Sequence, residues 1–447
     1  MIQKNQNLIN LIVITFVAAL GGLLFGFDIA IITGAVPFIR EHFQLNELQL
    51  GWGVSSLLVG CVFGSAVAGR AADTWGRKII LFLVALLFAV TSIATGLASS
   101  FSIFVMARFC GGIAVGAASA VSPMYISEIA PFRIRGRLVS FYQLSIVIGI
   151  ILSYFINYML HDIGPDNWRW MFISGTFPSA LFFLLLFFVP ETPRFLFKNG
   201  HKQKAFEVLK RIGGEENANY EMQQIKESLQ DNIKVKLSDL LKKGNLRALW
   251  VGFGLAVFVQ FCGINTIVDY APIILESAGW KIDAALFATF ALGGVFLSFT
   301  FVSIWLIEKA GRRILYLIGS AGLTVILSAI TIMSLLGRFT GDVALWLIIG
   351  FIAFFSACVG PVFWTLVSEI FPNKIRGTAM SIPVFTQWIA NAIVVGLFPW
   401  MLVNAGSAIT FGILAFSSGL MLLFTYAFVP ETKGKTLEEI ESIWIKE

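Results

Sequence analysis

Apolar stretches of about 20 residues recur along the whole chain, separated by short polar interruptions. They are continuously apolar rather than alternating, which argues for helices and against barrel strands. Each is long enough to cross a hydrocarbon core of ~30 Å as a helix. The pattern predicts spans near 8–39, 50–72, 78–98, 101–127, 137–160, 168–189, 247–275, 283–307, 313–336, 342–367, 375–403 and 406–429. A polar insert separates the sixth from the seventh. Within it Ala205, Val208, Leu209 and Ile212 fall at helical spacing, and Gly213-Gly214 ends the run. Met222, Ile225 and Leu229 make a second short apolar face. These pieces are too small for a core of their own, so the insert is expected to lie against the span ends and cannot be a soluble enzyme domain. The expected fold is an all-α membrane protein of twelve transmembrane helices: a six-helix bundle over 1–189, a helical linker over 190–246, a second bundle over 247–429 and a tail over 430–447.

Composition agrees. The chain is 57% hydrophobic and 13% charged, about half the charge of a soluble domain. The net charge of +6 is not a nucleic-acid signal, because its placement is one-sided. Of 32 Lys and Arg, 27 fall before the first span, in alternate loops and in the tail. The other loops hold only Arg40, Arg169, Lys281 and Arg338, and Arg108 lies inside a span. The asymmetry predicts both termini in the cytoplasm. The first apolar run lacks a strongly basic start, continues past Asp28 and meets no cleavage site, so it reads as a retained span. No Asn-X-Ser/Thr sequon occurs; a multi-pass protein of a prokaryotic plasma (inner) membrane is expected. Cys61, Cys110, Cys262 and Cys358 lie in apolar runs without a CxxC pair, and His42, His161 and His201 lie in connecting segments. Neither a disulfide framework nor a metal or other cofactor is predicted.

The chain also repeats itself. Ser127–Gly136 reads SEIAPFRIRG and Ser368–Gly377 reads SEIFPNKIRG. VPET occurs at Val189–Thr192 and again at Val429–Thr432, and Gly76-Arg77-Lys78 returns as Gly311-Arg312-Arg313. Three charged cassettes in the same order, each at the end of an apolar run, point to two similar bundles, an architecture found in many secondary transporters.

The cassettes resemble those of the sugar porters of the major facilitator superfamily, along essentially the whole chain. Asp73-Thr-Trp-Gly-Arg77-Lys78 matches the loop between spans two and three, and Glu308-Lys-Ala-Gly-Arg312-Arg313 its counterpart. Pro190-Glu-Thr-Pro-Arg194 is the most specific signature, with Pro430-Glu-Thr-Lys-Gly434 as its partner. The bacterial proton–xylose and hexose symporters are the nearest type, with the glucose facilitators as cousins. The resemblance implies a cytoplasmic gate in which Asp73, Arg77, Glu128, Arg135 and Glu191 act in the first half, and Glu308, Arg312, Glu369 and Arg376 in the second. It implies a monosaccharide site from Phe25, Gln143, Gln260, Asn265, Trp364, Gln387, Trp388 and Asn391. Uncharged amides suit a sugar, because they both donate and accept without a charge to desolvate. Three positions depart from the family pattern: Val259 precedes Gln260 where two glutamines are usual, Asp269-Tyr270 stands where two tyrosines are usual, and Phe296 stands for an asparagine. Asp269 is therefore a further candidate, for substrate, for coupling or as a polar residue of an outer gate.

Asp28 and Arg108 are charges inside predicted spans. Such residues usually face a bundle interior and find partners. Asp28 lies 12 residues before Arg40, about 18 Å from the outer end, and Arg108 lies 8 residues after Ser100, about 12 Å. A pair is feasible at those depths. A buried carboxylate beside a movable arginine exchanges between a charged, paired state and a protonated, neutral one, which is a proton switch. The leading expectation is a monomeric sugar–proton symporter working by alternating access in the lipid bilayer. A proton-independent facilitator does not account for Asp28 and Arg108. A drug exporter does not account for the VPET cassettes and the amides, and a non-transporting sensor would want a longer tail. An intramembrane enzyme would need a catalytic constellation that the spans lack.

Overall fold

The computed structural model describes residues 2–131, 134–230, 243–371, 376–434 and 444. Of these, the side chains of 2–8, 135–137, 140, 228–230, 243–244, 308 and 376–378 lie outside the description. Among the described residues the structure is helical throughout, without strands. Twelve helices are long and apolar enough to cross a membrane: Ile9–His42, Glu47–Trp75, Arg77–Gly96, Phe101–Ile129, Phe141–Leu160, Asn167–Phe188, Asn245–Asp269, Ile282–Ile307, Arg312–Leu335, Gly341–Glu369, Ala379–Asn404 and Gly406–Phe428.

Among the described residues three spans are interrupted, each with a break in the turn that precedes a proline. The sixth breaks between Asn167–Ser174 and Thr176–Leu185, ahead of Pro178. The seventh runs Lys243–Phe261, Ile264–Asp269 and Ala271–Ser277, with Pro272 at the second break. The tenth passes through one π turn, Phe355–Val359, just before Pro361. Proline lacks the N–H that would bond four residues back, and its ring crowds that carbonyl. The first break of the seventh span has another cause: Gly263 is left-handed at φ 85°, which only glycine adopts freely.

Packing divides the chain into two compact units, 1–31, 59–156 and 163–234 in one, 32–58, 157–162 and 235–447 in the other. In the first, the first and fifth spans cross on glycines: a Cβ on Gly26 would strike the Ile146 carbonyl, and one on Gly149 the Leu23 carbonyl. Small residues permit such close backbone approach between membrane helices. In the second unit, the N-terminal part of the second span crosses the eleventh at Gly51, where a Cβ would strike the Gly396 carbonyl. Also there, His161 pairs with Asp283 at 3.1 Å, and Tyr158 packs on Phe287 with ring centroids 5.5 Å apart.

The insert forms helices Pro193–Lys198, Lys202–Gly213 and Glu215–Gln230. Ala205, Leu209 and Ile212 are buried as their spacing predicts, and Gly214 caps the second helix at φ 84°. The third helix buries Ala218 and Glu221 beside the half-buried Met222 and Ile225; the Leu229 side chain is outside the description.

Candidate functional site

The structure brings Asp28 and Arg108 together. Arg108 Nη1 donates to the Asp28 carbonyl at 3.0 Å and to Asp28 Oδ1 at 3.3 Å. The arginine side chain is 2% exposed and the carboxylate 14%. The guanidinium lies 5.5 Å over the Phe172 ring, which packs edge-on to Phe104. Glycine makes the space for the acid: a Cβ on Gly111 would crowd Asp28 Oδ2 and the Thr91 hydroxyl. Oδ2 is buried and accepts no hydrogen bond among the described residues. The ion pair is thus half made, one oxygen held and one idle.

On the expected sugar-site residues the structure is uneven. Phe25 and Gln143 are half-buried on the first and fifth spans, which cross at Gly22 and Tyr142. In the second unit, Asn265 Nδ2 donates to Gln260 Oε1 at 2.8 Å across the break at Gly263. Here the two amides bond each other. The short Ile264–Asp269 helix packs against the eleventh span, which carries Gln387, Trp388 and Asn391, all buried. Gln387 and Asn391 are four residues apart and share a helix face. Trp388 is 4% exposed, whereas Trp364, beyond the π turn, is 39% exposed and stands edge-on to Phe363. Val259 is buried and Phe296 half-buried.

The cassettes fold into one arrangement, made twice. Arg77 Nη2 donates to Asp73 Oδ1 at 2.7 Å and Glu128 Oε1 at 3.0 Å. Arg312 Nη2 donates to Glu369 Oε1 at 3.2 Å. Glu191 does a different job: its carboxylate accepts the backbone N–H groups of Arg77, Lys78 and Thr192. It therefore caps the third span, where an anion is favoured by the unpaired N–H groups and the helix dipole. Glu431 caps the ninth span identically, accepting from Arg312 N at 3.0 Å and Arg313 N at 3.1 Å. The turn residues are Gly76 at φ 100°, ψ 154° and Gly311 at φ 96°, ψ 156°. A Cβ on either would run into the capping carboxylate. Burial pushes the Glu191 carboxyl above its ordinary value, against the opposing pull of those backbone donors and of Arg77. Thr432, whose hydroxyl donates to Glu369, and Tyr125, whose hydroxyl donates to the Pro190 carbonyl, complete the joints. The sequence reading passed over Glu431 as a site residue, although the second VPET was the signal for it. The side chains of Arg135, Glu308 and Arg376 lie outside the described residues.

A family profile for sugar (and other) transporters matches residues 14–444. The chain belongs to the sugar transporter family. Among its curated relatives, the arabinose-proton symporter of Bacillus subtilis is 39% identical, over 100% of this chain and 97% of that protein. The D-xylose-proton symporter of Escherichia coli is also 39% identical, over 96% and 95%. Among solved structures, the inward open conformation of the xylose transporter XylE from E. coli has a TM-score of 0.86 at 36% identity, covering 97% of this chain and 100% of that one. XylE bound to 6-bromo-6-deoxy-D-glucose has a TM-score of 0.80 at 37% identity, over 97% and 99%. The chain is therefore a multi-pass membrane transporter of the major facilitator fold, and not an enzyme.

Proposed function

We propose that the chain imports a monosaccharide, a hexose or pentose, in symport with protons by alternating access. The observation that carries this reading is the Asp28–Arg108 pair, buried in the first unit with one carboxylate oxygen idle. An acid held by a single arginine contact gives up that contact at modest cost and takes a proton instead. The relatives named as arabinose– and xylose–proton symporters support the same chemistry. Sugar recognition falls to Phe25, Gln143, Gln260, Asn265, Trp364, Gln387, Trp388 and Asn391. The Gln260–Asn265 bond would open to receive sugar hydroxyls, so binding exchanges one amide contact for several. The cassettes form the cytoplasmic gate. One chain carries a complete set of these residues, so a monomer in the bacterial plasma membrane suffices, with both termini in the cytoplasm.

The test is sugar-induced alkalinisation of weakly buffered cells expressing the protein, across hexoses and pentoses, beside Asp28→Asn. A pH rise with one sugar, absent in the variant, is expected, while sugar counterflow in the variant persists. A variant that still drives alkalinisation would remove Asp28 from coupling. Counterflow of a sugar by the native protein with no pH change would leave a facilitator.

A further inference from the structure

At the span ends opposite the cassettes, a histidine joins the first half of the chain to the second. His161 directly follows the fifth span, and Asp283 lies in the first turn of the eighth. His161 Nε2 bonds Asp283 Oδ1 at 3.1 Å, and its Nδ1 bonds the Tyr158 carbonyl at 2.6 Å. A carbonyl only accepts, and so does a carboxylate at neutral pH. Both ring nitrogens must therefore donate, and an imidazole with two donors is the charged imidazolium. The helix ends favour that pairing. The Tyr158 carbonyl belongs to the last turn of the fifth span, where carbonyls lack helical partners and a cation is stabilised. Asp283 sits at a helix start, where an anion is stabilised. The Tyr158 ring stacks on the imidazole at 5.6 Å and packs on Phe287 at 5.5 Å. Asp283 and Phe287 are four residues apart and share a face of the eighth span, so that face holds the end of the fifth span at two points. The other titratable groups of the two segments are Tyr158 itself and the exposed Asp162 and Lys281. On the turn between the first two spans, Arg40 and Glu47 pair with each other at 2.6 Å.

We infer that His161 and Asp283 form a proton-dependent latch that holds this end of the transporter closed. This deepens the alternating-access reading above and rests on it. Rocking of two halves about a central site requires their spans to part at one end while they meet at the other. The fifth span belongs to the first half of the repeat and the eighth to the second, so the pair has to break each time this end opens. Histidine is the side chain that ordinarily changes charge between about pH 5 and 8. With two protons the ring bonds the Asp283 carboxylate and the Tyr158 carbonyl together. With one proton it can donate to only one of them, and the charge attraction to the carboxylate is gone. Closure is thus favoured in the acid part of that range and lost as pH rises through it. The lysine and arginine asymmetry predicts that this end faces out of the cell. An acidic exterior would then drive the sugar inward through Asp28 while it slows opening of the entrance through His161. Uptake gains an acid limb that Asp28 alone would not produce.

The test follows the opening itself in the full-length protein. The native cysteines are replaced, and spin labels are attached at Pro165→Cys and Arg338→Cys, exposed positions in the turns after the fifth and ninth spans. Double electron–electron resonance in lipid nanodiscs reads the distance between them at about pH 5.5 and about pH 7.5. The latch predicts a short and a long distance, with the short-to-long ratio falling about threefold to tenfold from the lower pH to the higher. His161→Gln and Asp283→Asn should each remove that change, so either variant suffices should the other fail to fold. His161→Arg, which keeps its charge at every pH used, should hold the short distance at both. The change should persist in Asp28→Asn, which separates the latch from the coupling acid. A ratio that does not move with pH would overturn the inference, as would an undiminished change in both latch variants. Loss of the change in Asp28→Asn would overturn it too, by assigning the response to the coupling acid. Two distances whose ratio responds to one of a panel of hexoses and pentoses but not to pH would remove the latch alone. A single distance, unaltered by pH or by any sugar, would refute the alternating-access reading itself.

Discussion

Two glycines set the geometry of the cassettes. Gly76 and Gly311 precede the third and ninth spans with nearly the same backbone angles, φ 100° and 96°, ψ 154° and 156°. That region belongs essentially to glycine, and other residues held there pay about 1–3 kcal/mol. The missing side chain also leaves the space that Glu191 and Glu431 fill. Gly76→Ala and Gly311→Ala should each therefore lose stability by at least that amount, read as a lower Tm of the purified protein in detergent. Gly69 provides the contrast: it lies in the second span with open space beside it. Gly69→Ala should be neutral or stabilising by about 0.5–1 kcal/mol. Equal losses at all three positions would mean that the turn conformation and the cap contribute nothing special. The role of these glycines was half legible. The repeated Gly-Arg announces a tight turn, but the carboxylate it admits comes from more than a hundred residues further on.

At the scale of elements, the spans themselves follow from apolar run length, and the structure finds all twelve near their expected positions. The interruptions were not read from the sequence. The seventh span looks continuous because Cys262, Ile264, Ile267 and Val268 keep the run apolar through its break. Hydrophobicity records what a segment dissolves in, not whether its hydrogen-bond ladder is unbroken. Gly263 and Pro272 carried that second message. Glu191 was legible as a charge but not as a cap, since capping needs the chain to return to the start of the third span. Its titration is testable. Burial raises the Glu191 carboxyl above 4.5, so the folded protein holds that proton more tightly than the unfolded chain. The resulting stabilisation is full below the unfolded value and is lost as pH rises through the folded one. Glu191→Gln cannot titrate and keeps an acceptor for the backbone N–H groups. Relative to this variant, the native protein should lose Tm as pH rises from about 4 toward neutrality. A difference in Tm that stays constant across that range would show that Glu191 does not titrate there.

At the scale of the whole molecule, sequence and packing draw different lines. The repeat divides the chain at the insert, whereas packing groups 32–58 and 157–162 with the second unit. Repeats record descent along the chain; compactness records contacts such as Gly51 on Gly396 and His161 with Asp283. Neither fixes orientation in the membrane, for which the lysines and arginines are the guide. Their asymmetry, 27 against four, predicts the insert and tail on the cytoplasmic side and the turn at Arg338 on the other. Arg338 and Lys204 are both exposed, so each suits a single reporter cysteine. Background should be low once the four native cysteines are replaced, since three are buried and Cys110 is half-buried. A membrane-impermeant maleimide should label Arg338→Cys in intact cells, and Lys204→Cys only after permeabilisation. The reverse pattern would invert the topology, so that the acidic outside would meet the protein at the cassette end; net sugar flow would still follow the proton gradient inward, but Asp28 would be reached from the opposite face.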